Sequence, residues 1–308
     1  MVNEKAQSFF DQGLALLNKE DFKNAEKKFS EAIILDSDFA DAYYYRGLVF
    51  FNEGEFYDAF DDLLTAIELD TGFQSKPYEH PVFQGLIHET KFEFNQAIEI
   101  YNGILKEEPE LAIAHYRQGF CYYCLEDNTN AIKWYTSAIN LYKDNSTFYF
   151  NRAIAFEDIA TKQENEISAE QFNDYFLKAI DDYNTAIKLE PDDAEPVNNR
   201  GLLYFYLGEF EKAIDDLTVS IEADFSRAVA YDFRGCAYRE LGDFEKAVND
   251  HTKAIDLDSS DPIIFYNRAL ALIEKGELEN AKNDLQKVLK LAPGYEDARK
   301  KLNDITKG

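Results

Sequence analysis

One pattern of bulky, small and polar positions recurs along the chain about every 34 residues. In each recurrence a glycine or alanine is followed twelve positions later by an alanine, except in one unit where the spacing is 26. The pairs are Gly13/Ala25, Gly47/Ala59, Gly85/Ala97, Gly119/Ala131, Ala153/Ala179, Gly201/Ala213, Gly235/Ala247 and Ala269/Ala281. Successive pairs are 34 residues apart, except for one step of 38 and one of 48. A period of this length predicts a stack of structural repeats.

Each repeat is expected to form two packed helices, and we number its positions from its first residue. The repeat 228–261 has tyrosines at positions 4 and 11 and small residues at positions 8, 20 and 27, namely Tyr231, Tyr238, Gly235, Ala247 and Ala254. Positions 4, 8 and 11 lie on one face of a helix, and the small residues let a second helix approach closely. The glycines in segments 53–56 and 241–244 are placed to end the first helix.

This repeat resembles the tetratricopeptide repeat, over roughly residues 6–295. The resemblance implies an all-α fold, a right-handed superhelical solenoid of about eight helical hairpins that forms a single domain over residues 1–308. We place the repeats at 6–39, 40–73, 78–111, 112–145, 146–193, 194–227, 228–261 and 262–295. Segment 296–308 has Ala298, Leu302 and Ile305 on one side. It is predicted to be a capping helix that covers the last hydrophobic face of the stack.

Two irregularities interrupt the period. Repeat 146–193 has 14 surplus residues, with no glycine or proline between Ala153 and Ala179. Both of its helices are therefore expected to be about two turns longer, with a protruding tip near 163–167. Ser168 and Gln171 have the spacing of a capping box that would start the second helix. The extra residues 74–77 and the prolines around them predict that the next repeat begins its first helix near Pro81 and that the stack shifts or bends there.

Composition excludes several classes of function. The chain has 59 acidic and 32 basic residues and a formal net charge of −27. Much of this charge suits a solvated outer face, and the excess favours a basic partner and would repel nucleic acid. Residues 1–13 lack the pattern of a signal peptide, and no stretch approaches the ~20 apolar residues of a membrane span. We therefore expect a cytoplasmic protein without a membrane partner.

The sequence contains no pattern that predicts catalysis. It has no nucleophile–base set, glycine-rich phosphate loop or metal-binding helix motif, so we expect no enzyme activity, no cofactor and no metal. Cys121 and Cys124 form a C-x-x-C in the middle of a predicted helix. Redox pairs of this spacing normally begin a helix, and two cysteines alone do not complete a metal site. We interpret both as packing residues.

Arginine occupies position 7 in five repeats, and each of these repeats has aspartate at position 23. The pairs are Arg46/Asp62, Arg152/Asp182, Arg200/Asp216, Arg234/Asp250 and Arg268/Asp284. This matching predicts a salt bridge between the two helices of each hairpin, so we interpret the arginines as structural and not as a ligand-binding ladder. In the family, asparagines at position 6 can hold the backbone of an extended peptide. Asn151 and Asn199 are candidates for that role, with simple helix packing as the alternative.

The family resemblance places a concave groove along the first helices, chiefly at positions 2, 5, 9, 12 and 13. Candidate aromatic contacts there are Phe10, Tyr44, Phe51, Tyr116, Tyr123 and Phe150, and candidate acidic contacts are Glu157 and Asp158. Rigid aromatic side chains make good contact anchors, and those at positions 5 and 12 are expected to be too exposed for the core. The alternative is that they pack against neighbouring helices. The expected ligand carries apolar or aromatic anchors and basic residues.

One subset of the family grips the carboxylate tails of heat-shock chaperones with lysines and asparagines at fixed positions. Here Asn151 follows Tyr116 and Phe120 and precedes Glu195, so that clamp is absent and such tails are not expected as partners. Three functional hypotheses remain open. The preferred one is a non-catalytic scaffold or adaptor that binds a peptide or helix of another protein. The second is a regulatory or substrate-recruiting subunit of an enzyme assembly, and the third is a self-assembling structural protein.

Overall fold

A computed structural model of the chain describes residues 3–53, 56–69, 81–162, 168–223 and 228–307, and the regular secondary structure of these ranges is α-helical throughout. The chain divides into two compact units, Met1–Tyr142 and Lys143–Gly308. Within the described ranges, no helix combines the length with the apolar character needed to cross a lipid bilayer.

The first unit consists of four helical hairpins, in which each odd-numbered helix packs against the helix that follows it. Its helices are α1 (Glu4–Leu17), α2 (Phe22–Leu35), α3 (Ala40–Glu53), α4 (Phe56–Leu69), α5 (Pro81–Thr90), α6 (Phe94–Glu107), α7 (Ala112–Cys124) and α8 (Asn128–Leu141).

The second unit consists of four more hairpins and a final single helix. Its helices are α9 (Ser146–Lys162), α10 (Ala169–Leu189), α11 (Ala194–Tyr206), α12 (Phe210–Glu222), α13 (Ala228–Glu240), α14 (Phe244–Leu257), α15 (Pro262–Lys275), α16 (Leu278–Leu291) and α17 (Glu296–Lys307). The eight predicted hairpins and the predicted capping helix are thus present in the described part of the chain.

Local sequence signals explain where the helices begin and end. Asp193 and Asp261 each accept a hydrogen bond from a backbone N–H in the first turn of the helix that follows, which satisfies a donor that the helix itself leaves unpaired. Gly242, two residues after the end of α13, has φ 80°, as predicted for the glycine that ends a first helix. The corresponding Gly54 lies outside the described residues.

The small residue at position 8 lets the two helices of a hairpin come into close contact. A Cβ atom added to Gly119 would lie 2.6 Å from the ring of Tyr135, and one added to Gly235 would lie 2.9 Å from the ring of His251. Real Cβ atoms do not approach other atoms this closely, because protein interiors are already close-packed. The recurring small residue therefore makes room for the side chain at position 24 of the second helix.

All five predicted arginine–aspartate pairs are present. In each pair, Nε and Nη2 of the arginine donate to the two carboxylate oxygens of its own hairpin's aspartate, over 2.6–2.9 Å. This forked geometry is the strong form of an ion pair. The structure also shows a link that was not predicted, because Nη1 of Arg46, Arg200, Arg234 and Arg268 donates to the second helix of the preceding hairpin. Its acceptors include Ser30 for Arg46, Thr218 for Arg234 and Thr252 for Arg268.

The two irregular repeats agree with the sequence in part. Helix α10 has 21 residues, about two turns more than its counterparts of 13–14 residues, and the capping box of Ser168 and Gln171 is formed. Helix α9 is described over 17 residues, up to Lys162. Residues 163–167, where the tip is predicted, lie outside the described residues, so two extra turns in α9 stay a prediction.

After the junction between the second and third hairpins, α5 is described from Pro81, the residue near which the sequence predicts its start, and the residues directly before it lie outside the described part of the chain. The contact between α4 and α5 is much smaller than the contact between α2 and α3. Residues 74–77 lie outside the described residues. At the other end of the chain, α17 buries Ala298 completely and packs Leu302 and Ile305 against the last hairpin. The predicted capping helix is therefore confirmed.

Removing one partner of a buried pair is expected to destabilise the chain more than removing both. Asp250→Ala leaves the guanidinium of Arg234 without its carboxylate, and should lower the free energy of unfolding by about 3–5 kcal/mol. The double variant Arg234→Met/Asp250→Ala should lose less, because no charge is left unpaired. Urea denaturation followed by circular dichroism measures both. Glu296→Gln, which breaks the exposed pair with Arg299, is the control and should change stability by less than about 1 kcal/mol.

Candidate functional site

Three of the predicted groove aromatics lie in the core of the first unit. Phe10, Tyr44 and Tyr116 are each at most 8% exposed. The rings of Phe10 and Phe29 are 5.7 Å apart between centroids, and so are those of Tyr116 and Tyr135. The expectation that position-5 aromatics are too exposed for the core is therefore wrong for these residues. In the hairpins of Phe10 and Tyr116, the ring at position 5 packs on the ring at position 24 of the second helix.

The other predicted residues are partly exposed. Phe51 and Tyr123 belong to the first unit, and Phe150, Asn151, Glu157, Asp158 and Asn199 belong to the second, on α9 and α11. Asn151 donates through Nδ2 to the carbonyl of Thr147 at 2.9 Å, one turn earlier in the same helix. The ring of Phe150 packs on that of Tyr183, with 5.8 Å between centroids. The second unit therefore brings its predicted residues onto two successive first helices.

Glu157, Tyr183 and Asn199 form a polar cluster between α9, α10 and α11. The hydroxyl of Tyr183 lies near the carboxylate of Glu157, and it accepts a hydrogen bond from Nδ2 of Asn199 at 3.4 Å. Oε1 of Glu157 is buried and has no hydrogen-bond partner among the described residues. A buried polar atom without a partner is rare and energetically unfavourable.

The ionisation of Glu157 reflects this environment. Burial raises the pKa of Glu157 to about 7, the nearby hydroxyl of Tyr183 opposes that shift, and the neighbouring carboxylate of Asp158 adds to it. Burial also raises the pKa of Tyr183, as does the nearby carboxylate of Glu157, so its phenol stays protonated. Asp158 itself pairs with Lys162 at 3.0 Å. Glu157 is thus a carboxyl group poised to change its charge near neutral pH.

A related cluster in the first unit was not predicted from the sequence. Glu89 on α5 is only 6% exposed. It accepts a hydrogen bond from the hydroxyl of Tyr101 at 2.7 Å and pairs with the guanidinium of Arg117 through both carboxylate oxygens. Sγ of Cys121 also donates to it, over 3.6 Å. The sequence signal for this cluster is a glutamate at position 12 followed by an arginine at position 6 of the next repeat.

The cysteine pair of α7 sits beside this ion pair. Cys121 is buried and Cys124 partly buried, and neither forms a disulfide. Burial raises the pKa of both thiols, and the carboxylate of Glu89 raises it further. A protonated thiol is a poor nucleophile and a poor metal ligand. These features support the interpretation of both cysteines as packing residues.

A second buried polar cluster, also missed, lies in the second unit. Asp232, Cys236 and His251 place one possible metal-ligating atom each within 4.8 Å of one another. However, Oδ1 of Asp232 already pairs with Nδ1 of His251 at 2.7 Å, and its Oδ2 accepts from Asn267 at 2.9 Å. Burial raises the pKa of Cys236 to about 12. A metal ion would have to displace both hydrogen bonds and deprotonate the thiol, so the geometry fits a hydrogen-bonded core network better than a metal centre.

Comparison with known proteins identifies the repeat. Models of the tetratricopeptide repeat match residues 10–72, and residues 194–226 together with 263–295. A further model of the TPR repeat matches 176–208 and 235–274. No curated protein matches the chain.

Solved structures share the fold at low sequence identity. YrrB, a TPR protein with an unusual peptide-binding site, is 17% identical with a TM-score of 0.54, over 64% of this chain and 95% of its own. The C-terminal part of a TPR repeat-containing protein from Cytophaga hutchinsonii is 19% identical with a TM-score of 0.58, over 72% of this chain and 85% of its own. MamA from Desulfovibrio magneticus RS-1 is 17% identical with a TM-score of 0.52, over 60% and 96%.

Replacing the buried carboxyl group at position 157 is expected to stabilise the chain in a pH-dependent way. The pKa of Glu157 is raised from 4.5 to about 7 in the folded chain, so the folded state holds the proton more tightly than the unfolded state. Stability contributed by the protonated form is complete below pH 4.5 and is lost as the pH rises through 7. Glu157→Gln should therefore raise the free energy of unfolding by about 1–3 kcal/mol at pH 8 and change it little near pH 4.

Urea denaturation at pH 4, 6 and 8 measures this effect. Asp181→Asn, which removes an exposed carboxylate from α10, controls for the change in net charge. A stabilisation by Glu157→Gln that did not grow between pH 4 and pH 8 would contradict the prediction.

The two tyrosines predicted as neighbouring groove contacts are expected to behave differently. Tyr116→Ala removes a core ring that packs on Tyr135, and should lower the free energy of unfolding by about 3–5 kcal/mol. Tyr123→Ala removes a partly exposed side chain and should lower it by much less. Urea denaturation of the two variants side by side makes the comparison. Equal losses would show that Tyr123 also belongs to the core.

Proposed function

Because the chain belongs to the tetratricopeptide repeat family, we propose that it is a non-catalytic scaffold or adaptor that binds a peptide or helix of a partner protein. In this family the concave surface is formed by the first helix of each repeat. The observation that carries the proposal is the partly exposed set on two successive first helices of the second unit, Phe150, Asn151, Glu157, Asp158 and Asn199. It combines an apolar ring, amide groups and carboxylates, which suits recognition of a polypeptide.

The aromatic part of the proposed surface is smaller than the sequence suggested. Since Phe10, Tyr44 and Tyr116 are buried, the proposal assigns contact roles to Phe51 and Tyr123 in the first unit and to Phe150 in the second. Partly exposed aromatic rings provide large contact areas at a small loss of side-chain entropy. The buried rings of Phe10, Tyr44 and Tyr116 belong to the core and are not proposed as contacts.

Charge sets the chemistry of the proposed partner. The formal net charge of −27 and the carboxylates on α9 favour a segment with basic residues, and complementary charge speeds association. The same charge disfavours nucleic acid. The carboxylate tails of heat-shock chaperones are disfavoured too, because the basic clamp residues that the family uses for them are absent. The cytoplasmic location stays a prediction.

The runner-up function is a regulatory or substrate-recruiting subunit of an enzyme assembly. It would use the same surface, so the identity of the partner separates the two functions. If the partner is an enzyme, and addition of this chain changes its KM for its own substrate, the regulatory function is supported.

Partner capture followed by measurement on purified proteins tests the proposal. The full chain serves as bait, and the captured protein is identified and purified. The Kd between this protein and the chain is then measured for the original chain and for each variant. Tyr123→Ala or Phe150→Ala should weaken binding about 30-fold if the ring is an energetic anchor of about 2 kcal/mol. Asp158→Asn should mainly slow association and reduce its salt dependence.

Asp181→Asn on the second helix α10 is the matched control for charge and should leave the Kd unchanged. Circular dichroism checks that every variant is folded. A partner that binds all three surface variants as tightly as the original chain would refute the proposed surface.

A further inference from the structure

Two repeats of this chain carry the same three-residue arrangement. Glutamate occupies position 12 only in the repeats 78–111 and 146–193, as Glu89 and Glu157, and in both it faces a tyrosine at position 24. The third member comes from position 6 of the following repeat. It is Arg117 in the first unit and Asn199 in the second. The two sites therefore differ mainly in whether the chain itself supplies a cation.

In the first unit the arrangement is complete. Arg117 pairs with both carboxylate oxygens of Glu89, and the Tyr101 hydroxyl donates to one of them at 2.7 Å. The guanidinium also lies over the ring of Phe120, 4.8 Å from its centroid. A carboxylate removed from water needs this combination of a cation and hydrogen-bond donors to stay ionised. The first unit thus shows what a position-12 glutamate requires in this fold.

In the second unit the cation is missing. Asn199 is neutral and much shorter than arginine, and its Nδ2 reaches only the hydroxyl of Tyr183. Oε1 of Glu157 is left buried with no hydrogen-bond partner among the described residues. Two further carboxylates lie near the cluster, since Asp158 adjoins Glu157 and Glu195 lies near Tyr183. Helix α9 carries two basic residues, and each pairs with an aspartate, Lys162 with Asp158 and Arg152 with Asp182. The side chains of Glu157 and Asn199 are partly exposed, so a ligand can contact them.

We propose that Glu157 is a recognition site for an arginine side chain of the partner protein, whose guanidinium takes the place that Arg117 occupies beside Glu89. One guanidinium donates to both oxygens of a carboxylate in a planar fork, which would give the unpartnered Oε1 a hydrogen-bond donor. An ammonium group lacks this geometry, so arginine is preferred to lysine. The inference rests on the proposed function, because it supplies the chemistry of one contact on the proposed surface.

The chain offers its own matched variants for a test. Asn199→Arg supplies the missing cation and should close the site, and Glu157→Gln removes the carboxylate and keeps the shape. Glu240→Gln removes a different acidic residue of the second unit, one that pairs with Arg239 on the same helix, and controls for net charge. Arg117→Asn makes the first unit resemble the second and should open a new site beside Glu89.

The first measurement uses N-acetyl-arginine amide as the probe, titrated into the full chain at constant ionic strength and pH 7.5 and followed by NMR. The original chain and Glu240→Gln should bind the probe within twofold of each other. Glu157→Gln and Asn199→Arg should weaken binding at least tenfold. N-acetyl-citrulline amide, a neutral analogue of similar shape, should not bind, and N-acetyl-lysine amide should bind more weakly than the arginine probe.

The result that overturns the inference is arginine-probe binding that is unchanged in Glu157→Gln and Asn199→Arg while both variants remain folded by circular dichroism. Equal binding of the arginine and citrulline probes would overturn it as well. If Arg117→Asn is folded, a second binding event that Glu89→Gln abolishes supports the role of the missing arginine, and its absence contradicts it. Asn199→Arg, which adds a favourable pair, keeps the test independent of any folding defect in Arg117→Asn.

A second measurement separates this inference from the proposed function. A purified partner whose Kd is unchanged by Glu157→Gln and Asn199→Arg, yet is raised by Tyr123→Ala, leaves the scaffold function standing and overturns the arginine site. A partner that loses at least tenfold in affinity with either site variant, and equally when one of its own arginines is replaced by glutamine, supports the site. The arginine probe could bind as expected while no partner protein changes its Kd with any surface variant. That result would refute the scaffold function and leave the arginine site standing.

Discussion

The structure depends on the close approach of two helices within each hairpin. A small residue at position 8 of the first helix leaves room for the side chain at position 24 of the second, as in the contacts of Gly119 with Tyr135 and Gly235 with His251. Because helix axes can come this close only where side chains at the crossing are small, the repeat keeps glycine or alanine there. The side chain at position 24 extends beyond this small residue, and its outer end lies beside the side chains at positions 5 and 12 of the first helix.

This constraint determines the chemistry of the first-helix surface. Where position 24 is phenylalanine, as at Phe29, its ring joins an apolar core with Phe10. Where it is Tyr101 or Tyr183, a hydroxyl arrives beside a position-12 glutamate. Where it is His251, an imidazole nitrogen meets Asp232. In these three repeats a polar group at position 24 stands beside a carboxylate that is largely removed from water, and such a carboxylate requires a partner.

The chain provides those partners unevenly. Glu89 has an arginine and Asp232 has a histidine and an asparagine, whereas Oε1 of Glu157 has no hydrogen-bond partner among the described residues and burial raises the pKa of Glu157 to about 7. An ionisable group that is strongly perturbed and open on one side is typical of a functional site. Glu157 is therefore the carboxylate of these three clusters that best fits a functional role.

The sequence alone determined the all-α repeat architecture, the arginine–aspartate pairs and the capping helix. These features depend on periodicity, on local caps and on residues paired at fixed spacing within one repeat, all of which are visible in a single chain. Only the tertiary structure decided which first-helix side chains are buried. Phe10, Tyr44 and Tyr116 are predicted at the surface and lie in the core, and for Phe10 and Tyr116 the ring that packs against them comes from the second helix of the hairpin. The clusters around Glu89, Asp232 and Glu157 are not visible in the sequence for the same reason. Each joins residues from three helices, and the burial of its carboxylate depends on all three.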